Sequence, residues 1–342
     1  MMWSKKGDWL ECVIPSFWEG RTIESLLKEV WCASKKLAHQ LRMEKGIKLN
    51  GKEVSWQTPL KEKDRLQLYL YKPEPSIIIP EYRELSVLWE DEHLLIINKG
   101  AGIDIHPSEP SQIGTLANAV AFYLQSQGIL TKVRHIHRLD RDTSGTILFA
   151  KHTLAGATLD RMLERRLIKR TYVALVHGIL KNKSGTISAP IGRDRHHPTR
   201  RRVSKTGAKA VTHYRVLHTF PDEQTSLVEL SLDTGRTHQI RVHMSYIGHP
   251  LVGDVLYGGK DTFHRQALHA VKLSFLHPFT NEMISCIAHV DDFPVDIARF
   301  YMDPPSSRRE RLTPVLSHHR TYGSVYGGSI KYDVVLDIFR ID

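Results

Sequence analysis

From about residue 85 the chain writes one strand after another, and that run constrains the fold more than any other feature. "TYVALVHG" (171–178), "GTISAPI" (185–191), "AKAVTHYRVL" (208–217) and "SLVELSLDTG" (226–235) mostly alternate apolar with polar residues. That is the period of a strand with one face buried. "QALHAVKLSFL" (266–276) and "EMISCIAHV" (282–290) close the set, and "SVLWEDEHLLIINK" (86–99) reads as two strands paired around an acidic turn. Helical spacing is confined to 115–127, to 154–167 and to "THQIRVHMSYIG" (237–248), where Ile240, Met244 and Ile247 share a side, with a short final helix in "DFPVDIARF". Strands in such excess over the helices between them predict an α+β chain built on a mixed, predominantly antiparallel sheet. The span assigned to this domain is 85–302.

The first residues have another texture. "TIESLLKEVWCASKKLAHQLRMEKG" places apolar residues at helical spacing over two short helices that break near Ala33 and Ser34. "IKLNGKEV" turns at Asn50-Gly51, a strong hairpin signal, and "DRLQLYLY" alternates as a closing strand. Together they predict a small α/β module over 10–72, followed by a proline-rich linker over 73–84. Residues 303–342 change character again and are read as a tail without a legible role.

Composition narrows the partners. Forty-eight Lys and Arg against 37 Asp and Glu leave a formal net charge of +11, which favours polyanions, nucleic acid first and anionic membrane second. Cys12, Cys32 and Cys286 are sparse, odd in number and far apart. They predict neither a disulfide framework nor a thiolate metal site, and they fit a reducing compartment. No apolar run is long enough for a signal peptide or a membrane span. Cytoplasm, no membrane and a monomer are the expectations.

Two stretches concentrate charge. In "HIHRLDRDTSGTILFAKHT" (135–153), His137, Arg138, Asp140, Arg141, Asp142, Thr143, Ser144 and Gly145 precede an apolar strand. Charge that dense belongs in a turn. Either its ion pairs are solvated and worth little, or a carboxylate is fixed there by a guanidinium and does chemistry. A guanidinium from elsewhere in the fold would serve Asp140 best, and "GRTHQIRVH" (235–243) offers Arg236 and Arg241. Asp140 with Asp142 as a glycosidase-like acid–base couple is the weaker alternative, because residues two apart in a turn rarely face each other. His238 and His243, five apart, do not share a helical face, and no metal is assigned to them.

The second stretch, "GRDRHHPTRRRVSK" (192–205), carries Arg193, Arg195, Arg200, Arg201, Arg202 and Lys205. It is either a solvated hairpin tip or a grip on phosphates, and on so basic a chain phosphate contact is favoured. Tyr172 reads as a core aromatic, with base stacking as the alternative.

Taken in order, these segments resemble the RluA-type family of RNA pseudouridine synthases. "HRLDRDTSG" is similar to that family's catalytic motif and "GRTHQIRVHMSYIGHPLVGDVLYGG" to its C-terminal motif. "TYVALVHG" is similar to its tyrosine motif, "APIGR…GAKAVTHYRVL" to its central segment and "INKGAGIDIHPS" to its opening motif. The N-terminal module resembles the alpha-L RNA-binding motif. The resemblance implies a catalytic domain with a central active-site cleft that isomerises uridine in RNA without cofactor or metal. It implies Asp140 as the catalytic carboxylate, Arg241 as its partner, Tyr172 stacked on the uracil and Arg138 filling the space of a flipped-out base. The basic loop would meet phosphates. Ribosomal RNA is the favoured substrate and transfer RNA the alternative. An RNA-binding or remodelling protein with incidental catalysis is the reading from another class.

Overall fold

The structure is a computed structural model and describes residues 3–301, so the tail assigned to 303–342 lies outside the described residues. Strands β1 (Trp3–Lys6), β2 (Trp9–Val13), β3 (Ile47–Leu49) and β4 (Arg65–Tyr69) form a four-stranded sheet in the order β1-β2-β4-β3. Two short helices cover it. The first, α1 (Ile23–Ser25), is capped by Thr22, whose side chain accepts from the Ser25 amide, and it continues as a wider turn over Leu26–Val30. Ser34 caps the second, α2 (Lys35–Met43), so the break falls where the spacing predicted it. Asn50 and Gly51 both take left-handed φ (52° and 79°), as a tight reversal requires, but no full strand follows: β3 pairs along β4, and Lys52 makes only a single bridge back to Leu49.

The second part is a ten-stranded sheet. It is formed by β5 (Ser86–Glu90), β6 (Leu94–Lys99), β7 (Arg134–His135), β8 (Ser144–Ala150), β9 (Lys169–His177), β10 (Ser184–Ser188), β13 (Val211–Phe220), β14 (Thr225–Leu232), β15 (Leu268–Leu276) and β16 (Met283–Ile287). Two further strands, β11 (Ile191–Arg193) and β12 (Arg201–Val203), pair only with each other. The main path runs β10-β13-β14-β9-β15-β8-β6-β5, with every pairing antiparallel except β8 against β15. The mixed, predominantly antiparallel sheet is as expected. Helices α3 (Leu116–Ser126), α4 (Thr153–Glu164), α5 (Gln239–Tyr246) and α6 (Ala298–Tyr301) accompany it.

The single parallel contact explains the Ser-Gly that ends the charged turn. Gly145 sits beside Ala270 with φ 118°, and a Cβ there would lie 2.3 Å from the Ala270 carbonyl oxygen. No side chain fits. The strand that follows is buried along its whole length and anchors the turn in the middle of the sheet.

The N-terminal module and the large sheet share one core. Trp3, Trp18 and Trp31, all buried, pack edge to face with one another, and Trp3 and Trp31 pack on Phe279. The Trp3 indole N–H donates to the Phe279 carbonyl at 2.9 Å, and the Thr158 hydroxyl donates to the Trp31 carbonyl at 2.6 Å. Aromatic contacts of this kind add about 0.5–1.5 kcal/mol each beyond the area they bury. The proline-rich stretch between the two parts is fastened down as well. Asn118 Nδ2 donates to the Ile79 carbonyl, the Gly114 amide to Glu81, and Arg134 pairs with Glu74.

Candidate active site

Asp140 stands in the turn between β7 and β8, its side chain about one-quarter exposed. Arg241 comes from α5 and reaches it: Nη1 donates to Asp140 Oδ2 at 3.2 Å. Arg236, the other guanidinium of that segment, is exposed and instead donates Nε to the Lys209 carbonyl. Arg241 is held from behind by Asp254, with Nε to Oδ2 and Nη2 to Oδ1 both at 2.8 Å. Such a forked pair fixes the guanidinium in plane as well as in position. Burial opposes the Arg241 charge, but the hydrogen bonds and charge of Asp254, together with Asp140, outweigh it and raise its pKa. One oxygen of Asp140 is thus held by a cation that cannot swing away.

The main chain of the turn is gripped from below by two buried cations. Lys99, 1 % exposed, donates Nζ to the carbonyls of Arg141 (2.8 Å), Gly100 (2.8 Å) and Ile103 (3.0 Å). Burial pulls this ammonium down to about 8, against the opposing charges of Asp142, Asp104 and Asp140. On the other side Arg265 pairs with Asp292, Nε and Nη2 both engaged, and extends Nη1 to the Asp142 carbonyl and Nη2 to Ser144 Oγ. Ser144 Oγ also meets His269 Nδ1 at 2.8 Å. Asp142 thus meets Arg265 through its backbone carbonyl, and its charge acts on Lys99.

Tyr172 lies in β9, buried, within the electrostatic reach of Asp140. Burial raises its hydroxyl pKa, partly offset by Arg170, which stands two residues earlier on the same face of the strand. His137 is also buried; burial and the Arg170 charge bring it down to about 3, and neither of its ring nitrogens has a partner. Arg170 Nε is likewise buried and unpartnered. Native interiors rarely leave polar atoms unmet. These three atoms lie among the buried polar groups around Arg170, on whose charge both His137 and Tyr172 depend.

Arg138 projects from the turn into solvent. The basic loop folds as its own hairpin, β11–β12, and leaves Arg193, Arg195, Arg200, Arg202 and Lys205 exposed and Arg201 half-buried. Arg200 is partly committed, with Nε on Asp194 Oδ2 at 2.7 Å. The hairpin is tied to the site by its backbone, since the Arg201 amide donates to the Tyr257 hydroxyl at 2.9 Å. His243 is buried and spoken for, by Thr212 Oγ1 and the Ala189 carbonyl. Among the described residues no group of three or more His, Cys, Asp or Glu could hold a metal.

Asp254, Lys99, Arg265 and Tyr257 were not singled out from the sequence. Asp254, Tyr257 and Lys99 do fall inside stretches whose likeness to family motifs was noted. Arg265, in "FHRQALHAV", carries no sequence signal.

The family described as RNA pseudouridylate synthase matches residues 93–246, and the RluD ribosomal pseudouridine synthase N-terminal domain matches 10–66. The Bacillus subtilis RNA pseudouridine synthase YhcT, itself uncharacterized, is 51% identical over 295 residues, 86% of this chain and 97% of that protein. The ribosomal large subunit pseudouridine synthase D of Xanthomonas campestris is 35% identical, covering 84% of this chain and 90% of its own length. Among solved structures, human RNA pseudouridylate synthase domain containing 1 is similar at 27% identity with a TM-score of 0.51, over 65% of this chain and 87% of that one. With its turn, its sheet and these relatives in agreement, this chain belongs to the RluA-type family of RNA pseudouridine synthases.

Proposed function

We propose that this enzyme isomerises specific uridines of structured ribosomal RNA, with Asp140 as the catalytic carboxylate. The observation that carries the reading is the Asp254–Arg241–Asp140 chain: a buried pair aims one guanidinium N–H at one oxygen of a carboxylate whose other oxygen has no recorded partner. Preorganised charge of this kind works because it needs no reorganisation when the reaction begins.

Isomerisation breaks the N1–C1′ bond, turns the uracil and joins C5 to C1′; the C5 proton is lost and N1 ends protonated. Asp140 acts at the sugar, either by attack on C1′ or by taking the C2′ proton. A stacked uridine must leave its helix to arrive there. Tyr172 stacks on the flipped base, and exposed Arg138 occupies the place it left. The hairpin arginines and Lys205 meet phosphates, which position the RNA without reading sequence. The module over 10–72 adds RNA contacts, and the enzyme works as a cytoplasmic monomer. Ribosomal RNA is favoured over transfer RNA because the N-terminal segment matches the RluD domain and because relatives bear ribosomal large subunit names.

The test uses transcripts of large-subunit ribosomal RNA and of transfer RNA carrying tritium at uracil C5. Tritium release by wild type and none by Asp140→Asn, with RNA affinity kept within about tenfold, is expected. Release only from transfer RNA would overturn the substrate, and undiminished release by Asp140→Asn would overturn the role. Tight binding without release from either RNA would favour the RNA-remodelling reading.

A further inference from the structure

We infer that His238 is a positioning residue that offers Asp140 a second hydrogen-bond donor, and that Tyr257 selects its donating tautomer through a bond made by the basic hairpin. This rests on the reading of Asp140 as the catalytic carboxylate and adds a link between RNA grip and chemistry.

The proton positions follow from the partners. The Arg201 amide can only donate, so the Tyr257 oxygen accepts from it at 2.9 Å. The Tyr257 proton then has one recorded acceptor, His238 Nδ1, at 2.8 Å. An imidazole that accepts at Nδ1 carries its proton on Nε2. Nε2 faces Asp140 Oδ2 at 4.0 Å. The chain is therefore polarised from end to end: hairpin amide to tyrosine, tyrosine to histidine, histidine toward carboxylate. A 4.0 Å separation is long for a hydrogen bond, but contacts of this kind tighten when substrate closes the site.

Three further observations hold the arrangement. His238 precedes α5 with φ 57°, a left-handed conformation unusual for a residue with a side chain. Strain of that sort persists where surrounding contacts over-determine it. The Arg241 guanidinium lies over the Tyr257 ring, 5.0 Å from its centroid, so both donors to Asp140 lean on the same tyrosine. The hairpin and Tyr257 are also packed together, through Ile191, Val203 and Val242. Burial lowers the His238 pKa, Asp140 and Asp254 oppose that, and Arg241 and Arg201 reinforce it. Neutral imidazole makes the tautomer consequential, since only one of the two can donate to a carboxylate.

Four full-length variants test this on the tritiated ribosomal transcript: His238→Ala, His238→Gln, Tyr257→Phe and Asp140→Asn. Loss of one charge-assisted bond predicts that His238→Ala lowers kcat roughly 10- to 100-fold, with KM and melting temperature nearly unchanged. Gln can place an amide N–H at similar reach and recovers most of the rate. Tyr257→Phe keeps the ring under Arg241 but removes the proton that Nδ1 accepts. At neutral pH the donating tautomer is then no longer selected, whereas imidazolium donates from Nε2 in either case, so the kcat deficit of Tyr257→Phe is largest where His238 is neutral and shrinks as pH falls. Wild-type kcat in His238→Ala, Gln no better than Ala, or a Tyr257→Phe deficit that does not shrink as pH falls would each overturn the inference while Asp140→Asn stays inactive. Activity in Asp140→Asn would instead bring down the reading on which it rests.

Discussion

The two most densely charged stretches of the chain hold their charge in opposite ways. Around Asp140 the balancing cations are buried: Arg241, Lys99 and Arg265 are each under about one-tenth exposed, and each is committed to named oxygens. In the hairpin over 191–203 Arg193, Arg195, Arg200 and Arg202 face solvent while Arg201 is half-buried, and the one ion pair recorded there joins exposed Arg200 to Asp194. The difference fits the two roles proposed above, a reacting carboxylate and a grip on phosphates. A reacting carboxylate must stay fixed while charge develops, so its partners are taken out of water, where removing one is costly. A phosphate grip must adapt to a backbone and gains affinity by releasing counterions, which requires cations left in solvent.

Breaking the buried side should cost most. Arg241→Ala strands Asp254, whose side chain is 1% exposed, as well as Asp140. It should lower the melting temperature, with a stability loss of ~3–5 kcal/mol, and it should abolish measurable tritium release. A variant that melts and turns over like wild type would mean that the chain through Asp254 is not a support. Gly145→Ala comes next. A methyl 2.3 Å from the Ala270 oxygen, at φ 118°, forces β8 away from β15, and the Asp140 turn should move with it. A destabilisation above ~2 kcal/mol in chemical unfolding is expected; a neutral result would mean the parallel contact yields easily.

The exposed side should answer differently. Arg200, Arg201 and Arg202 changed together to Gln should weaken RNA binding while leaving kcat at saturation within about threefold. The plot of log affinity against log salt should lose roughly 0.7–0.9 per phosphate contact removed. Arg200 alone should contribute less than Arg202, because Asp194 already engages it. A kcat that collapses with the affinity would blur the distinction between grip and chemistry.

The smallest effect concerns acid. Burial holds His137 and His152 at about 3 and His269 at about 4. The unfolded chain binds protons on these groups from about pH 6.5 downward while the folded chain does not, so stability falls as pH drops through that window toward 4. Melting temperatures at pH 5 below those at pH 7.5 are expected, with His152→Asn flattening the difference. A flat profile between those values would show these imidazoles titrating alike in both states.

Much of this was legible in the chain. Strand alternation and the few helical stretches foretold the sheet, because burial of one face imposes a period that survives any connection. Asp140 and Arg241 could be paired before the fold was known, but only by their motifs; spacing left Arg236 equally eligible. The supports were not legible. Lys99 reads as one more lysine at a strand end until its ammonium is found against three carbonyls, and Arg265 becomes visible only when residues more than 120 apart meet. The hairpin was seen as charge, whereas its hydrogen bond to Tyr257 is a backbone property that no side-chain pattern reports.

The central claim, that Asp140 converts uridine to pseudouridine in ribosomal RNA, is tested most directly by mapping pseudouridine across all RNA of three strains: one lacking the gene, one restored with wild type and one restored with Asp140→Asn. A ribosomal position that loses pseudouridine on deletion and regains it only with wild type is the predicted result. Modification restored equally by Asp140→Asn, or a lost position found only in transfer RNA, would contradict it.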